Sequence, residues 1–464
     1  MPRSPARGVL AASAHDDFVA IDFGTSNSAV ALPRSDGGVP TVRLVELDPG
    51  HPTMPTAVFY RADTPAHQHE ADRLYGRAAL AAYVEGVDGR LMRSMKSILG
   101  SSLLDQSTDI GAGRSVRYRD VVTGYLRRLK TLAEAACGHP LRRVVLGRPV
   151  FFVDDDPARD AQAQAALLAA AQQAGFADVQ FQFEPIAAAL DHESKITREQ
   201  LVLVADIGGG TSDFCLVRVG PERAQRARRA NRSQSAQRAD GSAGRRDDIL
   251  AHHGVHLAGT DFDRHVELQA ILPLLGYRTL RPGRPGQAAA REVPSGVYFD
   301  LATWHLINTV YSPARLAELR SIKSWYADPR HYTRLITTVQ ERLGHALAAA
   351  AEQAKIDVAL HGSAQIDLSV VEGGLATTLL EAQAARSIEA DLERIVQAAR
   401  QTARIAGVQA DAVDALYFTG GSTGLQPLVD RIAASFPGAE VVRGDRFASV
   451  AQGLGLHARE VFRG

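Results

Sequence analysis

Residues 204–214 read VADIGGGTSDF: an apolar run ends on an aspartate, and three glycines, two hydroxyl residues and a second aspartate follow. Glycine lacks a Cβ atom, so this triplet lets the backbone approach a bound group closely. Backbone N–H groups of such a turn, with the hydroxyls of Thr211 and Ser212, favour phosphate oxygens. The carboxylates of Asp206 and Asp213 would repel a phosphate unless a cation lay between them. Because Mg²⁺ binds carboxylates and substrate phosphates together, the pattern indicates a magnesium nucleotide, with a glycine-rich hairpin turn as the alternative.

A segment near the amino end repeats this arrangement. Residues 20–32, AIDFGTSNSAVAL, again contain an apolar strand, an aspartate, a glycine, hydroxyl residues and a second apolar strand. Asp22 and Gly24 correspond to Asp206 and Gly208. Such internal similarity predicts a duplicated domain in which each copy presents one hairpin to a shared cleft. The two hairpins would then hold phosphate from opposite sides.

The composition excludes several classes of protein. The 464 residues suffice for two or more lobes, and 45% of them are hydrophobic. The 52 basic residues balance 52 acidic ones, so we expect no nucleic acid and no membrane as a partner. Cys137 and Cys215 are too few for a disulfide framework and favour a reducing cytoplasm. We expect a disordered tail over residues 1–17, with an export signal cleaved near Ala14 as the alternative.

The order of strand and helix patterns predicts an α/β protein. Helical patterns include LMRSMKSILG at residues 91–100 and VVTGYLRRLKTLAEAAC at residues 121–137. Residues 221–248 hold eight arginines, four acidic residues and no apolar side chain larger than alanine. They predict a solvated, mobile insertion, with a basic tether as the alternative. The proline- and glycine-rich residues 281–296 predict another loop, and residues 419–424, TGGSTG, predict a third glycine turn that begins a helix and suits an anion.

Together and in this order, these motifs resemble the nucleotide-binding domain of the seventy-kilodalton heat-shock chaperones, which are members of the actin-like ATPase superfamily. The resemblance covers residues 18–458 and is carried by DFGTSNS, VVLGRPVFF, EPIAAAL, DIGGGTSD, GTDFD, AEQAKIDV and GGSTGLQPLV. It implies a two-lobed actin-like fold, with duplicated ribonuclease-H-like α/β cores and an inserted subdomain in each. The nucleotide, ATP or ADP with Mg²⁺, would bind between the lobes.

The resemblance also implies roles for single residues. Asp22 and Asp206 match the paired aspartates that hold hydrated Mg²⁺, and Lys96 matches the lysine that reaches the γ-phosphate. Glu184 and Asp213 match the residues that place the attacking water. The remaining matches are to nucleotide-contacting positions, of which Thr211 is also grouped with the catalytic residues: Gly24, Thr25, Ser26, Asn27, Gly208, Gly209, Gly210, Thr211, Glu352, Lys355, Gly420, Gly421 and Ser422. Pro149 matches a hinge proline and Arg159 its relay arginine.

The chain departs from the family pattern around the base and at its end. Gly424 stands where the family has an arginine that stacks on adenine, and Ile356 and Ala359 replace an arginine and a serine. We therefore expect base recognition to be weaker than phosphate recognition. We expect no apolar acidic linker and no peptide-binding domain after the glycine turn, since the sequence resembles a truncated bacterial branch of the family that keeps the nucleotide-binding domain alone.

The expected organisation is a tail over 1–17, lobe I over 18–200 with an inserted subdomain near 56–118, lobe II over 201–440 with the insertion 221–248 and an inserted subdomain near 257–362, and a return to lobe I over 441–464. The expected function is that of an ATP-binding nucleotide switch, chaperone-like and slowly hydrolysing with Mg²⁺. A small-molecule kinase of the same superfamily, a polymerising protein and a nucleotide-binding scaffold with little hydrolysis are the alternatives. The sequence identifies neither a protein partner nor an oligomeric state.

Overall fold

The structure is a computed structural model of the chain. It describes residues 17–36, 39–62, 73–111, 113–153, 156–226, 245–282, 291–304, 306–445 and 448–463. The predicted amino-terminal tail, most of the arginine-rich insertion and the centre of the loop predicted over residues 281–296 lie outside these described residues.

Lobe I is built on a mixed six-stranded sheet. Its strands and those of its smaller sheets are β1 (Phe18–Phe23), β2 (Asn27–Asp36), β3 (Val39–Leu44), β4 (Thr53–Pro55), β5 (Ala57–Arg61), β6 (Arg73–Tyr75), β7 (Gly89–Arg93), β8 (Ser107–Gly111), β9 (Arg114–Arg117), β10 (Arg143–Arg148) and β11 (Asp178–Phe183). Its helices are α1 (Gly76–Val84), α2 (Tyr118–Cys137), α3 (Pro157–Gln173) and α4 (Glu184–Glu193). The strand order is β11-β10-β1-β2-β3, with β4 paired to β2. β1 is parallel to β10 and antiparallel to β2, so its apolar side chains are buried on both faces.

Lobe II is built on a five-stranded sheet with the same topology. Its strands, with those of a small hairpin, are β12 (Gln200–Ile207), β13 (Ser212–Val219), β14 (Ile249–Val255), β15 (Ser363–Asp367), β16 (Ala376–Leu380), β17 (Ala415–Thr419) and β18 (Glu440–Arg443). The order β14-β13-β12-β17-β18 reproduces the order and strand directions of the first sheet, with β12 in the place of β1. The duplication expected from the two similar hairpins is confirmed at the level of sheet topology.

Helices cover the second sheet and continue as a separate helical core, and the last helix of the chain returns to the first sheet. They are α5 (Gly259–Val266), α6 (Gly296–Leu301), α7 (Ile307–Val310), α8 (Pro313–Ser321), α9 (Pro329–Gln340), α10 (Gly344–His361), α11 (Glu381–Ser387), α12 (Glu389–Ile405), α13 (Gln426–Ala434) and α14 (Ser449–Arg463). Side chains of α5 to α10 and of the β15–β16 hairpin form one hydrophobic cluster of their own. Sheet and helices together confirm the α/β class.

Two helices join the lobes. α4 and α14 pack on each other, and their side chains share one hydrophobic cluster with residues of β1 and β12. At their crossing Gly453 lies so close to α4 that a Cβ atom would stand 1.8 Å from the carbonyl oxygen of Ala187. A side chain at Gly453 would therefore push the two helices apart, and with them the two sheets.

The helix predicted over residues 91–100 is wrong. Residues up to Arg93 form β7, and only Met95–Ile98 form a single 3₁₀ turn. The reason is strand pairing, because Leu91 lies opposite Phe59 and Met92 opposite Val58 on β5. Ser94, between strand and turn, has a φ of 53°, a left-handed conformation that costs a non-glycine residue energy. This sharp turn directs the segment that carries Lys96.

The prediction that residues 221–248 form a solvated insertion is wrong at both of its ends. Arg245 is 4% exposed, and its guanidinium donates two hydrogen bonds to the carboxylate of Glu193 on α4, at 2.8 and 2.9 Å. Arg223 donates to Glu199 at 2.6 Å, and it also pairs with the buried Asp248. Composition could not reveal this, because the partners come from α4 and the start of β12. Residues 227–244 are outside the described residues.

We expect Arg245→Ala to lower stability by about 3 kcal/mol, since it leaves the carboxylate of Glu193 buried without its partner. The neighbouring Arg246→Ala is the matched control, because Arg246 is exposed and should change stability by less than about 0.5 kcal/mol. Thermal melting of the three proteins measures the effect. Equal melting temperatures for both variants would contradict the structural role of Arg245.

Candidate functional site

Charged side chains from both lobes meet between the two sheets. Asp22 lies near the end of β1, Asp206 near the end of β12, and Glu184 begins α4. The Nζ atom of Lys96, carried by the 3₁₀ turn after β7, donates to Oε1 of Glu184 at 2.5 Å. Asp213 lies directly opposite Asp206 across the β12–β13 hairpin. The structure thus brings together the five charged residues that the sequence analysis assigned to metal binding or hydrolysis.

This cluster holds more negative than positive charge. Burial raises the pKa of Asp22 well above its ordinary value, and the charge of Glu184 raises it further while Lys96 opposes the shift. Burial also raises the pKa of Asp206 to about 7, and the charges of Asp213 and Glu184 add to the effect. For Lys96 burial lowers the pKa, but the surrounding carboxylates outweigh burial and the net shift is upward. A single ammonium group therefore faces several carboxylates in a poorly solvated space.

The donor set fits hydrated Mg²⁺. Burial and the neighbouring carboxylates raise the pKa values of Asp22 and Asp206, and a divalent cation between the lobes would oppose both effects. In nucleotide sites Mg²⁺ usually binds one or two carboxylates and completes its octahedron with water and phosphate oxygens. Across the described residues, no group of three or more histidine, cysteine, aspartate or glutamate side chains is placed to hold a metal ion.

The first glycine hairpin is held from behind by a threonine. The hydroxyl of Thr56 donates to the carbonyl of Gly24 at 2.8 Å, and its backbone N–H donates to the carbonyl of Ser26 at 2.9 Å. In a trans peptide the N–H points away from the C=O of the same unit. The N–H groups of Thr25 and Asn27 therefore point away from Thr56, on the outer side of the hairpin.

The second hairpin is held in the same way. Thr260 donates to the carbonyl of Gly209 through its backbone N–H at 2.7 Å and through its hydroxyl at 2.8 Å. The hydroxyl of Ser422, in the third glycine turn, donates to the carbonyl of Gly208 at 2.7 Å. By the same peptide geometry, the N–H groups of Gly209 and Gly210 point away from these anchors. Successive N–H groups on one side of a turn form an anion site.

The hairpins face each other across the cleft. A Cβ atom on Gly209 would lie 3.0 Å from the hydroxyl of Ser26 in the other hairpin. Gly420, in the third turn, has a φ of +88°, and a Cβ atom there would lie 2.7 Å from Oδ1 of Asp206. Glycine is needed at Gly420 for both its conformation and this close approach. The three glycine turns thus lie close together between the two sheets.

The residues expected to contact adenosine do not all lie in one place. Lys355 on α10 pairs with Asp263 on α5 at 2.6 Å, and burial raises the pKa of Asp263 to about 6 although Lys355 opposes the shift. Glu352 is exposed on α10, and its charge acts on Arg93 of lobe I. Ser422 hydrogen-bonds to the carbonyl of Gly208 in the second hairpin, as described above. The structure therefore brings Lys355 and Ser422 to the rim of the cleft and turns Glu352 towards lobe I.

The last residue of β10 is an arginine that the sequence analysis did not select. Arg148 is 3% exposed, and its guanidinium donates to Asp160 at 3.0 Å and to the carbonyls of Pro149 and Val150. Arg159, the predicted relay arginine, instead donates twice to the carbonyl of Gly100. Arg148 is thus the residue that holds the backbone around Pro149 in place. Its burial follows from its position at the end of a central strand, which the sequence pattern does not distinguish from a surface position.

Sequence reasoning also missed the two anchoring threonines. Thr56 follows directly after β4, and Thr260 lies in the GTDFD motif that opens α5. Neither position has a local pattern that distinguishes it from an ordinary turn residue. The two threonines occupy equivalent positions relative to the two duplicated hairpins. That equivalence can be recognised only after the strands of one sheet are matched to those of the other.

Two similar α/β sheets, each with a glycine hairpin and a carboxylate facing a shared cleft, define the two-lobed actin-like ATPase fold. Residues 18–223 match the family model described as Hsp70 protein. The chain is also similar to the chaperone protein DnaK of Thermotoga neapolitana, with 29% identity over 203 residues. That match covers 44% of this chain and 30% of the length of DnaK. Residues 18–223 are therefore similar in sequence to the Hsp70 family. In the described part of the chain, no helix is both long and apolar enough to span a bilayer.

The raised pKa of Asp206 predicts a pH-dependent stability. A carboxyl group whose pKa rises from 3.8 unfolded to about 7 folded binds protons more tightly in the folded state. Stability without ligand should then fall as pH rises from about 4 to about 7, by an order of 1–3 kcal/mol. Asp206→Asn should melt at a higher temperature than the wild type at pH 8 and should lose stabilisation by magnesium nucleotide.

Melting curves between pH 4.5 and pH 8 measure this effect. Asp411→Asn, at an exposed carboxylate, is the matched control and should follow the wild type at every pH. If Asp206→Asn melted at or below the wild-type temperature at pH 8, uncompensated charge would not be the main constraint on this site.

Proposed function

We propose that this chain binds ATP with Mg²⁺ between its two lobes, hydrolyses it slowly and acts as a nucleotide-dependent switch. The observation that supports it most is the pair of facing hairpins, in which the contacts of Thr56 and Thr260 leave backbone N–H groups on the opposite side of each hairpin, while Asp22 and Asp206 lie near the ends of the adjoining strands. Donors and uncompensated carboxylates occur together there, as a phosphate with a divalent cation requires. The Hsp70-family match of residues 18–223 supports the same ligand.

Each group has a defined task in this proposal. Asp22 and Asp206 would hold hydrated Mg²⁺, which when bound offsets the negative charge of the phosphates. The N–H groups of the hairpins would donate to the β- and γ-phosphates. Lys96, held by Glu184 at 2.5 Å, would place its ammonium group beside the terminal phosphate, where charge develops during phosphoryl transfer.

Water would be placed by the remaining carboxylates. Glu184 and Asp213 line a cavity of about 50 Å³ together with Asp206. A cavity needs about 10–15 Å³ and two to four polar partners to hold one water, so this space is sufficient. The water oxygen would attack the terminal phosphorus while the bond to the oxygen of ADP breaks, and a carboxylate would accept the proton of the water.

Calorimetric titration of ATP, with and without Mg²⁺, tests the binding step. We expect stoichiometric binding that weakens strongly without Mg²⁺. Binding that is independent of Mg²⁺ would contradict the role of the aspartates. Turnover that requires an added sugar or acid would identify a kinase instead, and binding without turnover would identify a scaffold.

A cytoplasmic location belongs to the proposal and is supported by Cys137 and Cys215, which are both free thiols.

Lys96→Ala should lower single-turnover hydrolysis by about 100-fold, because it removes a preorganised positive charge from the transition state. Magnesium-nucleotide affinity should change by less than about 10-fold, since the hairpins and the aspartates remain. Lys195→Ala, at an exposed lysine, is the matched control and should hydrolyse at the wild-type rate. Lys96→Ala with wild-type turnover would remove this residue from the site.

An aromatic cluster joins the two lobes, and in the proposed switch it would hold the cleft closed. The ring of Tyr83 on α1 stacks on Trp304, between α6 and α7, with centroids 5.1 Å apart. His345 on α10 packs against both rings, and Arg93 lies 4.1 Å above the ring of Trp304. Asn308 hydrogen-bonds to both Tyr83 and His345. We call these five residues the aromatic clasp; it joins the outer parts of lobe I and lobe II.

Opening of the cleft must separate this clasp, so its contacts should slow nucleotide release. We expect Trp304→Ala to raise the release rate of a fluorescent ADP analogue by about 10-fold, because stacking and the cation–π contact are lost. Trp325→Ala is the matched control, since it removes the other tryptophan, which lies against Arg281 within the helical core of lobe II. Equal release rates for both variants would show that the clasp does not limit opening.

A further inference from the structure

A histidine lies against one of the water-placing carboxylates. The Nε2 atom of His252, on β14, is 3.6 Å from Oδ1 of Asp213. Both side chains line the cavity of about 50 Å³ that also contacts Glu184 and Asp206. The imidazole is 12% exposed, and the ring of Phe151 packs edge-on against it with centroids 6.1 Å apart. The histidine is therefore held in a fixed place beside the reacting region.

Strand register explains this placement. On the antiparallel pair β13–β14, Asp213 lies opposite Gly254 and Cys215 lies opposite His252. Side chains two residues apart share a face, so Asp213, Cys215 and His252 all face the cavity, and His252 is the diagonal neighbour of Asp213. A Cβ atom on Gly254 would stand 2.5 Å from Oδ1 of Asp213. On β14, Gly254 thus leaves room for the carboxylate of Asp213, and His252 limits the movement of that carboxylate.

We propose that His252 is a positioning residue for hydrolysis: it holds Oδ1 of Asp213, so that Oδ2 accepts the hydrogen bond from the attacking water. This inference rests on the proposed ATP hydrolysis. A distance of 3.6 Å is longer than a hydrogen bond, and contacts of catalytic groups commonly shorten when substrate closes the site. The other ionisable groups that line the same cavity are Glu184 from α4, Asp206 from β12 and Cys215 from β13. In this cavity lining His252 supplies a donor for the carboxylate without adding a fourth acid.

The test separates positioning from binding. In the full chain we expect His252→Ala to lower the single-turnover rate of ATP hydrolysis by about 10-fold, with a nucleotide Kd within about twofold of the wild type. His252→Gln, whose amide N–H reaches about as far as Nε2, should restore most of the rate. His253→Ala is the matched control, because His253 is the next residue on β14 and faces the opposite side of the sheet, beside Phe214. It should hydrolyse ATP at the wild-type rate.

Gly254→Ala is an independent second variant, since its methyl group would press on the same carboxylate oxygen. It should also slow the single-turnover rate while leaving the nucleotide Kd within about twofold. Wild-type rates in both His252→Ala and Gly254→Ala would overturn the inference, as would a loss in His252→Ala that resides entirely in the Kd. A wild-type protein that binds magnesium nucleotide but never hydrolyses it would overturn the hydrolysis proposal itself, which measurement of the wild type first distinguishes.

Discussion

The structure depends on an excess of negative charge that is held at one point between two sheets. Asp22, Asp206 and Glu184 converge on the single ammonium group of Lys96, in a space where burial raises the pKa of both aspartates. Such an arrangement is unfavourable for the folded chain alone. It persists because the strands that carry the aspartates are central strands of two rigid sheets, so the carboxylates cannot move apart without breaking β1 and β12 from their neighbours.

A second constraint is the orientation of the backbone N–H groups in the two glycine hairpins. Thr56 and Thr260 each occupy the carbonyls of one glycine hairpin, and the planar peptide unit converts that contact into an orientation of N–H groups on the other side. Thr56 and Thr260, which are far apart in the chain, thus hold equivalent hairpins in the two duplicated sheets. Under the proposed function, a phosphate that carries its own divalent cation would satisfy both the donors of the hairpins and the nearby acids.

Features of the fold that rest on local pattern were predictable, and those that rest on distant partners were not. The hairpins around Asp22 and Asp206 can be predicted from the sequence, because strand, glycine turn and strand lie within a few residues of each other. The strand that precedes Lys96 was predicted as helix, since its pairing partner β5 lies some thirty residues away. Arg245 was predicted to be solvated, since nothing near it in sequence indicates Glu193. For the same reason the contact between Asp213 and His252 follows only from the register of β13 and β14.

The two halves share a topology but not a chemistry. Asp206 faces Asp213 across its hairpin, whereas Asp22 faces Ala29 at the equivalent position of lobe I. The second carboxylate of the lobe II hairpin, Asp213, therefore has no counterpart in the hairpin of lobe I. In the proposed reaction Asp213 from lobe II and Glu184 from lobe I would place the water together, so that reaction requires the lobes to be closed on each other. The aromatic clasp between Tyr83 and Trp304 joins the lobes in the same arrangement, and under the proposed function this contact is how a slow hydrolysis would control the separation of the lobes.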